Sequence, residues 1–305
     1  MKPITVALLG VDGQLGQTIK MDWAQGDAAT QFILHGFDLP ELDITSAKDL
    51  DEKLSPLGVD VLINTAAYTA VDEAESNHEA ALSINRDGAR LVAQWAEKNQ
   101  SKLIHLSTDF VFDGKSSSAY KPLDSTTPVN VYGTSKLAGE QAILEVHRQG
   151  SLIIRTSWLY SAYKTNFVKT MLKLMAEKDR LTVVVDQIGT PTSTHSLANL
   201  IAKASISDTR SGVFHWSDSG VASWFDFAVA IQEEALAVGL LDKEIALEPV
   251  SSDQYPTPAA RPSFSLLDKS LSQTTFGCAP VHWRRQLRQV IEELANNSQE
   301  GSNRP

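Results

Sequence analysis

Short apolar runs alternate with stretches of helical spacing through the first half of the chain. Ile4 to Leu9 is almost uninterrupted in its apolar character, the pattern of a strand buried on both faces of a parallel sheet. Gln17 to Trp23 then takes helical spacing. Further strands are predicted at Gln31 to His35, Val59 to Asn64, Leu103 to Leu106 and Leu152 to Arg155. Between them the pattern predicts a short helix after Asp43, a long one from Asn77 to Lys98, and another that contains Lys136 to Leu144. Strand alternating with helix implies an α/β fold: a Rossmann-like, doubly wound parallel sheet with ligands at the carboxyl ends of its strands.

The second half is less regular. A helix is predicted over Asn166 to Glu177, a strand over Leu181 to Val185, another over Val213 to Trp216, and a helix from Ser223 to about Val238. Tyr255 to Pro262 holds three prolines and one cation, which makes it stiff and extended. The expected division is a dinucleotide-binding domain over residues 1–155 and about 181–210, and a smaller, lid-like substrate domain over about 156–180 and 211–295. The polar stretch 296–305 is expected to be a disordered tail.

The first predicted strand runs straight into Gly10, Gly13 and Gly16, spaced G-x-x-G-x-x-G ahead of a helix. A glycine turn there lets a pyrophosphate approach the backbone and rest on the helix N-terminus. Gln14 and Leu15 lie inside the turn. Asp38 follows the second strand; it can take a ribose hydroxyl or cap a turn. Asp43 and Ile44 can edge the adenine, while Asp43 can equally serve as a helix-start acid. No Arg or Lys lies between Lys20 and Lys48, so the sequence offers no dedicated clamp for a 2′-phosphate. Ala66, Ala67, Tyr68 and Thr69 end the third strand, and the small residues among them let a cofactor lie against the backbone.

The chemistry centres on the strand beginning at Leu103, which ends in Ser107 and Thr108, and on the helix opened by Asn130 to Lys136. Tyr132 and Lys136 are four residues apart, hence on one helix face. An ammonium close to a phenol lowers its pKa, and a phenol so tuned exchanges protons near neutrality. Thr108 at the strand tip can hold the oxygen being protonated. This trio suits interconversion of a carbonyl and an alcohol, with hydride from elsewhere. A packing tyrosine beside an exposed lysine is the plainer alternative. A second pair, Tyr160 and Lys164, has no Ser-Thr strand tip shortly upstream and reads as coincidence. Arg261 can grip a phosphate bidentately or be an exposed structural arginine.

Hydrophobic content of 42% is ordinary for a globule. The net charge of −10 carries no basic cluster, which argues against nucleic acid and anionic membrane as partners. A single cysteine, Cys278, excludes an internal disulfide and fits the cytoplasm; it reads as a small buried apolar residue. No apolar run approaches a membrane span. The histidines lack metal-ligand spacing, and Leu137 breaks a G-x-S-x-G elbow.

With these residues in place, the chain resembles the dTDP-4-dehydrorhamnose reductases, which are extended short-chain dehydrogenases/reductases. The segments that carry the likeness are Gly10 to Gly16, Asn64 to Asp72, Ser107 to Gly114, Tyr132 to Lys136, Arg155 to Trp158, Asp186-Gln187 and Tyr255 to Pro262. The resemblance implies reduction of the C4 ketone of dTDP-6-deoxy-L-lyxo-4-hexulose with NADPH, NADH also being accepted. It makes Thr108, Tyr132 and Lys136 the catalytic trio, with Lys136 and Tyr132 also touching the cofactor. Val71, Phe110 and Trp158 would line the sugar site, and Asp109, Asn166 and Arg261 are grouped with them as substrate-facing. Phe110 stands where the family leads one to expect tyrosine. Nucleotide-sugar dehydratases place Asp-Glu after the strand-tip threonine; Thr108-Asp109-Phe110 lacks the Glu. Another nucleotide-sugar 4-ketoreductase, or a non-catalytic regulatory subunit similar to the methionine adenosyltransferase β-subunit, stays open beside the main reading. Some family members form dimers bridged by Mg²⁺ on carboxylates. The matching positions here are Thr18 and His195, and only Glu293 keeps the acid, so no metal and a monomer or weak homodimer are expected.

Overall fold

Eight strands longer than two residues are β1 (Ile4–Leu9), β2 (Phe32–Phe37), β3 (Val61–Asn64), β4 (Lys102–Thr108), β5 (Ser151–Thr156), β6 (Arg180–Val184), β7 (Gly212–His215) and β8 (Ala246–Val250). Six of them form one parallel sheet in the order β7-β5-β4-β3-β1-β2. The computed structural model describes residues 2–302, with side chains through residue 298.

Because side chains alternate across a strand, β1 sends Val6 and Leu8 to one face and Ala7 and Leu9 to the other. Helices α1 (Gln14–Asp22) and α6 (Thr194–Ile206) cover the first face through Ile19, Leu197 and Ile201. Helices α2 (Ala47–Leu54), α3 (Ala89–Lys98) and α4 (Val131–His147) cover the second through Leu50, Val92 and Ile143. Leu62 of β3 is fully buried there, so Leu62→Ala would cost about 2–5 kcal/mol. The expected long helix from Asn77 is one continuous helical run with a π-wound turn at Ser83–Gly88. Asn85 in that turn bonds both Tyr68 backbone groups and the Ser135 hydroxyl, tying β3's trailing segment to α4.

A second lobe has its own apolar cluster, contributed by α5 (Phe167–Glu177), β6, α7 (Trp224–Ala237) and α8 (Trp283–Ser302). Two segments sit differently from the expected division. β7, assigned from sequence to the substrate domain, pairs with β5 and extends the main sheet. β6, assigned to the dinucleotide domain, pairs with β8 outside that sheet. Both are short apolar runs, and periodicity alone does not say which strand each will pair with. The expected disordered tail is also different: α8 continues through Ser302, while residues 303–305 lie outside the described residues. No described helix is long and apolar enough to cross a membrane.

α8 returns to the first lobe. His195 on α6 has Nδ1 at 2.8 Å from Asp22 of α1 and Nε2 at 3.1 Å from Glu293 of α8. Burial lowers its pKa, but hydrogen bonds and charge from the two carboxylates outweigh this and raise it to about 10. Thr18 faces Thr194, hydroxyl to hydroxyl, at 2.7 Å.

Candidate active site

A cavity of about 920 Å³ opens along the carboxyl ends of β1 to β5. Its first wall is backbone. Gly10, at φ +82, has no room for a Cβ, which would stand 2.7 Å from the Ala66 nitrogen. A Cβ on Gly16 would meet the Gly10 carbonyl oxygen at 2.2 Å. Gly16 therefore lets α1 pack under the turn and does not itself line the cavity, whereas Gly10, Gly13, Gln14 and Leu15 do. Gly13 caps α1 without a side-chain hydrogen bond, leaving first-turn N–H groups available to an anion. A dinucleotide pyrophosphate fits this cradle.

Farther along, Asp38, Asp43, Ile44, Ala66, Ala67 and Thr69 line the same wall. The Asp38 carboxylate accepts from the backbone N–H groups of Asp12 and Leu39, at 3.0 and 2.9 Å. Asp43 accepts from both the N–H and the hydroxyl of Thr45, and the helix-start acid reading does not describe it, since Ser46 caps α2. Tyr68 is not among the lining residues; its backbone is engaged with Asn85.

Thr108, Tyr132 and Lys136 all line this cavity. Thr108 ends β4 and accepts from the Phe110 N–H at 3.2 Å. Asn130 caps α4 by accepting from the Gly133 N–H at 2.7 Å, which sets the first turn that carries Tyr132. Tyr132 shows part of its ring to the cavity, and Phe110 meets that ring edge-on at 5.6 Å. Burial pushes the Tyr132 phenol up to about 12, against a smaller lowering by the Thr108 hydroxyl. Lys136 is buried and donates to the Leu106 carbonyl at 2.6 Å. Burial brings it down to about 8, although Glu140 favours its charge. The expected lowering of the tyrosine by the lysine is therefore not what the structure has. Lys136 is spent on a carbonyl, and desolvation dominates both groups. Asp109 is buried beside Thr108, whose hydroxyl donates to it at 3.1 Å; burial raises its pKa to about 6.

Beneath the trio, Glu140 of α4 takes two hydrogen bonds from Arg155 of β5, at 2.9 and 2.7 Å, and a short one from Ser107 of β4. This buried pair locks α4 to the sheet.

The second wall is built of side chains: Val71, Phe110 and Trp158. Two expected members are elsewhere. Asn166 caps α5, accepting from Lys169 N–H at 3.2 Å, with its amide donated to the Ser161 carbonyl. Arg261 does not line the cavity; it pairs with Asp72 at 2.9 and 3.2 Å. That contact holds the Asp72 carboxyl below its ordinary pKa. Lys164, set aside in the sequence with Tyr160, lines the cavity although Tyr160 lies in the core. Thr156, Ser157 and Thr165 line it as well, and only the strand-end position of the first two hints at it.

The family model for the RmlD substrate binding domain matches residues 4–296. A dTDP-4-dehydrorhamnose reductase of Aggregatibacter actinomycetemcomitans is 37% identical, over 93% of this chain and 97% of that protein. One from Escherichia coli K12 is 35% identical, over 95% and 98%. The crystal structure of a Bacillus anthracis dTDP-4-dehydrorhamnose reductase in complex with NADP superimposes with a TM-score of 0.88 at 34% identity, covering 95% of this chain and 99% of that one. Matched along nearly its whole length, and carrying a glycine cradle and a Thr-Tyr-Lys trio in one cavity, the chain belongs to the dTDP-4-dehydrorhamnose reductase family of oxidoreductases.

Proposed function

We propose that the protein reduces the C4 ketone of dTDP-6-deoxy-L-lyxo-4-hexulose to the alcohol of dTDP-L-rhamnose, with NADPH as reductant. The observation that carries this reading is the single cavity in which a dinucleotide cradle and Thr108, Tyr132 and Lys136 meet. The NADP complex of the Bacillus anthracis relative supports the choice of cofactor. When bound, the reduced nicotinamide supplies a hydride to C4. Tyr132 gives its hydroxyl proton to the C4 oxygen as that oxygen gains charge. A phenol held near 12 stays protonated at neutral pH and is thus a competent donor in this direction. Thr108 holds the same oxygen by its hydroxyl. Once it leaves the Leu106 carbonyl, Lys136 can steady the phenolate left behind. One ketone, one hydride and one proton give one alcohol.

NADH is accepted too, because Lys136 and Lys164 are the only cations among the described lining residues. Neither belongs to the Asp38–Thr45 end where a 2′-phosphate would lie. The test is consumption of NADPH by purified protein offered a panel of nucleotide 4-keto sugars. The dTDP-linked 6-deoxy hexulose should be turned over best. Tight NADPH binding with no oxidation by any sugar would defeat the reading and favour a regulatory role.

A further inference from the structure

We propose that Trp224, which does not line the cavity, is a positioning residue for sugar binding, by fixing the plane of Trp158; this rests on the reduction proposed above. Trp158 stands at φ +49, a backbone region that bulky residues rarely adopt and hold only when neighbours impose it. The neighbours are specific. The Trp158 carbonyl accepts from the Thr192 N–H at 3.1 Å. Gly189 lies against the indole, where a Cβ would come within 2.7 Å of the ring. Trp224 stacks on the indole with centroids 3.6 Å apart and planes at 8°.

Trp224 is itself tightly held. The pairing of Ala222 with Gly189 and of Ser223 with Ile188 brings it beside Gly189. The reciprocal cap of Ser223 and Asp226 fixes it as the first residue of α7. Its indole N–H donates to the Gln187 side chain at 3.2 Å. Gln187 donates to the Ser252 hydroxyl at 3.0 Å, and that hydroxyl donates to Asp186 at 2.7 Å. Phe167 backs the ring at 4.6 Å. A chain of contacts thus runs from the second lobe to the one large aromatic surface that the cavity wall presents from β5's trailing segment. The apolar C–H face and methyl of a 6-deoxy sugar are what such a surface recognises.

The experiment compares wild type with Trp224→Leu, Trp224→Phe and Gln187→Ala. Trp224→Leu should raise KM for the dTDP-linked sugar about tenfold, the worth of one aromatic pair, with kcat and NADPH affinity near wild type. Trp224→Phe should restore most of the loss, and Gln187→Ala should give a smaller rise of the same kind. The far-ultraviolet exciton couplet of the stacked indoles should vanish in Trp224→Leu and equally in Trp158→Phe. An unchanged sugar KM once the couplet is gone overturns the proposal. So do equal losses for sugar and NADPH, which mean general loosening. If wild type turns over no 4-keto sugar, the proposed reaction fails by itself. Calorimetry with dTDP-L-rhamnose then decides about Trp224: about tenfold weaker binding by Trp224→Leu supports it, and equal or absent binding by wild type and variant overturns it.

Discussion

The wall of the cavity around Gly10 and Ala66 is made of backbone, whereas the wall around Trp158 is made of rings. The first works by what is missing. Its glycines leave no Cβ, and its uncapped helix start leaves N–H groups for an anion. Nearly all of its residues come from strand ends of one sheet. The second works by what is added. Trp158 depends on Trp224, and the strap that bears Arg261 is tied to Asp72 and Asn130 by hydrogen bonds spanning more than a hundred residues. A backbone wall suits a cofactor shared by many enzymes. A side-chain wall is the one that substitution can retune, one ring at a time, without disturbing the sheet.

The trio lies between the walls, and its removal should have the largest effect. Tyr132→Phe keeps the ring and its contact with Phe110 but removes the proton. We expect kcat to fall about 10²–10⁴-fold with cofactor affinity retained. Lys136→Ala should reduce both turnover and cofactor affinity. Steady-state kinetics and NADPH titration check these, and near-normal turnover in Tyr132→Phe would mean that another group is the acid.

Next in size is the support beneath the trio. Glu140 and Arg155 are 2% and 4% exposed, so removing one partner leaves a buried, uncompensated charge. Glu140→Ala should cost about 3–5 kcal/mol in urea denaturation. A loss under about 1 kcal/mol would show that water reaches the pair and that α4 is held to the sheet by packing alone.

Gly16→Ala sharpens the contrast between the walls. Its new Cβ meets backbone, the Gly10 carbonyl oxygen, not a flexible side chain. Displacing the turn should cost about 1–3 kcal/mol and weaken NADPH binding about tenfold or more, with the sugar's KM little changed. Equal weakening of both ligands would mean that the walls do not act separately.

What the sequence shows and what it hides follow the same division. Strands buried on both faces write themselves as unbroken apolar runs, and the glycine turn and the Tyr132–Lys136 spacing are local. All of these were legible. The second lobe relies on two-residue strand pairs and distant partners. No period reports that β7 joins β5, that Asn166 is consumed as a helix cap, or that Arg261 finds a carboxylate at Asp72. Spacing placed Tyr132 and Lys136 together but gave no sign that Lys136 would turn to Leu106. The direction of a buried ammonium on a helix depends on carbonyls contributed by a neighbouring strand.

A smaller effect is expected at the adenosine end of the backbone wall. With no cation among the lining residues there, NADPH and NADH should bind with a preference below about tenfold, or roughly 1.4 kcal/mol. Dissociation constants differing several hundredfold would point to a phosphate clamp formed on binding.

The smallest expected effect is that of removing divalent metal. His195 faces every charged group that α1 and α8 bring to it, Asp22 on one side and Glu293 on the other. The Tyr163 hydroxyl also approaches Glu293, whose charge, after burial, raises the Tyr163 pKa. The imidazolium already supplies the positive charge between these carboxylates, and Thr18 is turned to Thr194. EDTA or added Mg²⁺ should therefore leave turnover and sedimentation unchanged. The pH dependence has a definite sign. An ordinary histidine titrates near ~6.5, and His195 is raised to about 10. Its contribution is full below about 6.5 and is lost progressively as pH rises toward 10. His195→Gln should flatten stability against pH in that window, read by urea midpoints at several pH values. An unaltered pH profile would show that the three helices are held by packing and not by this cation. A dimer that dissociates in EDTA and reforms with Mg²⁺ would show that a metal, not His195, serves the cluster.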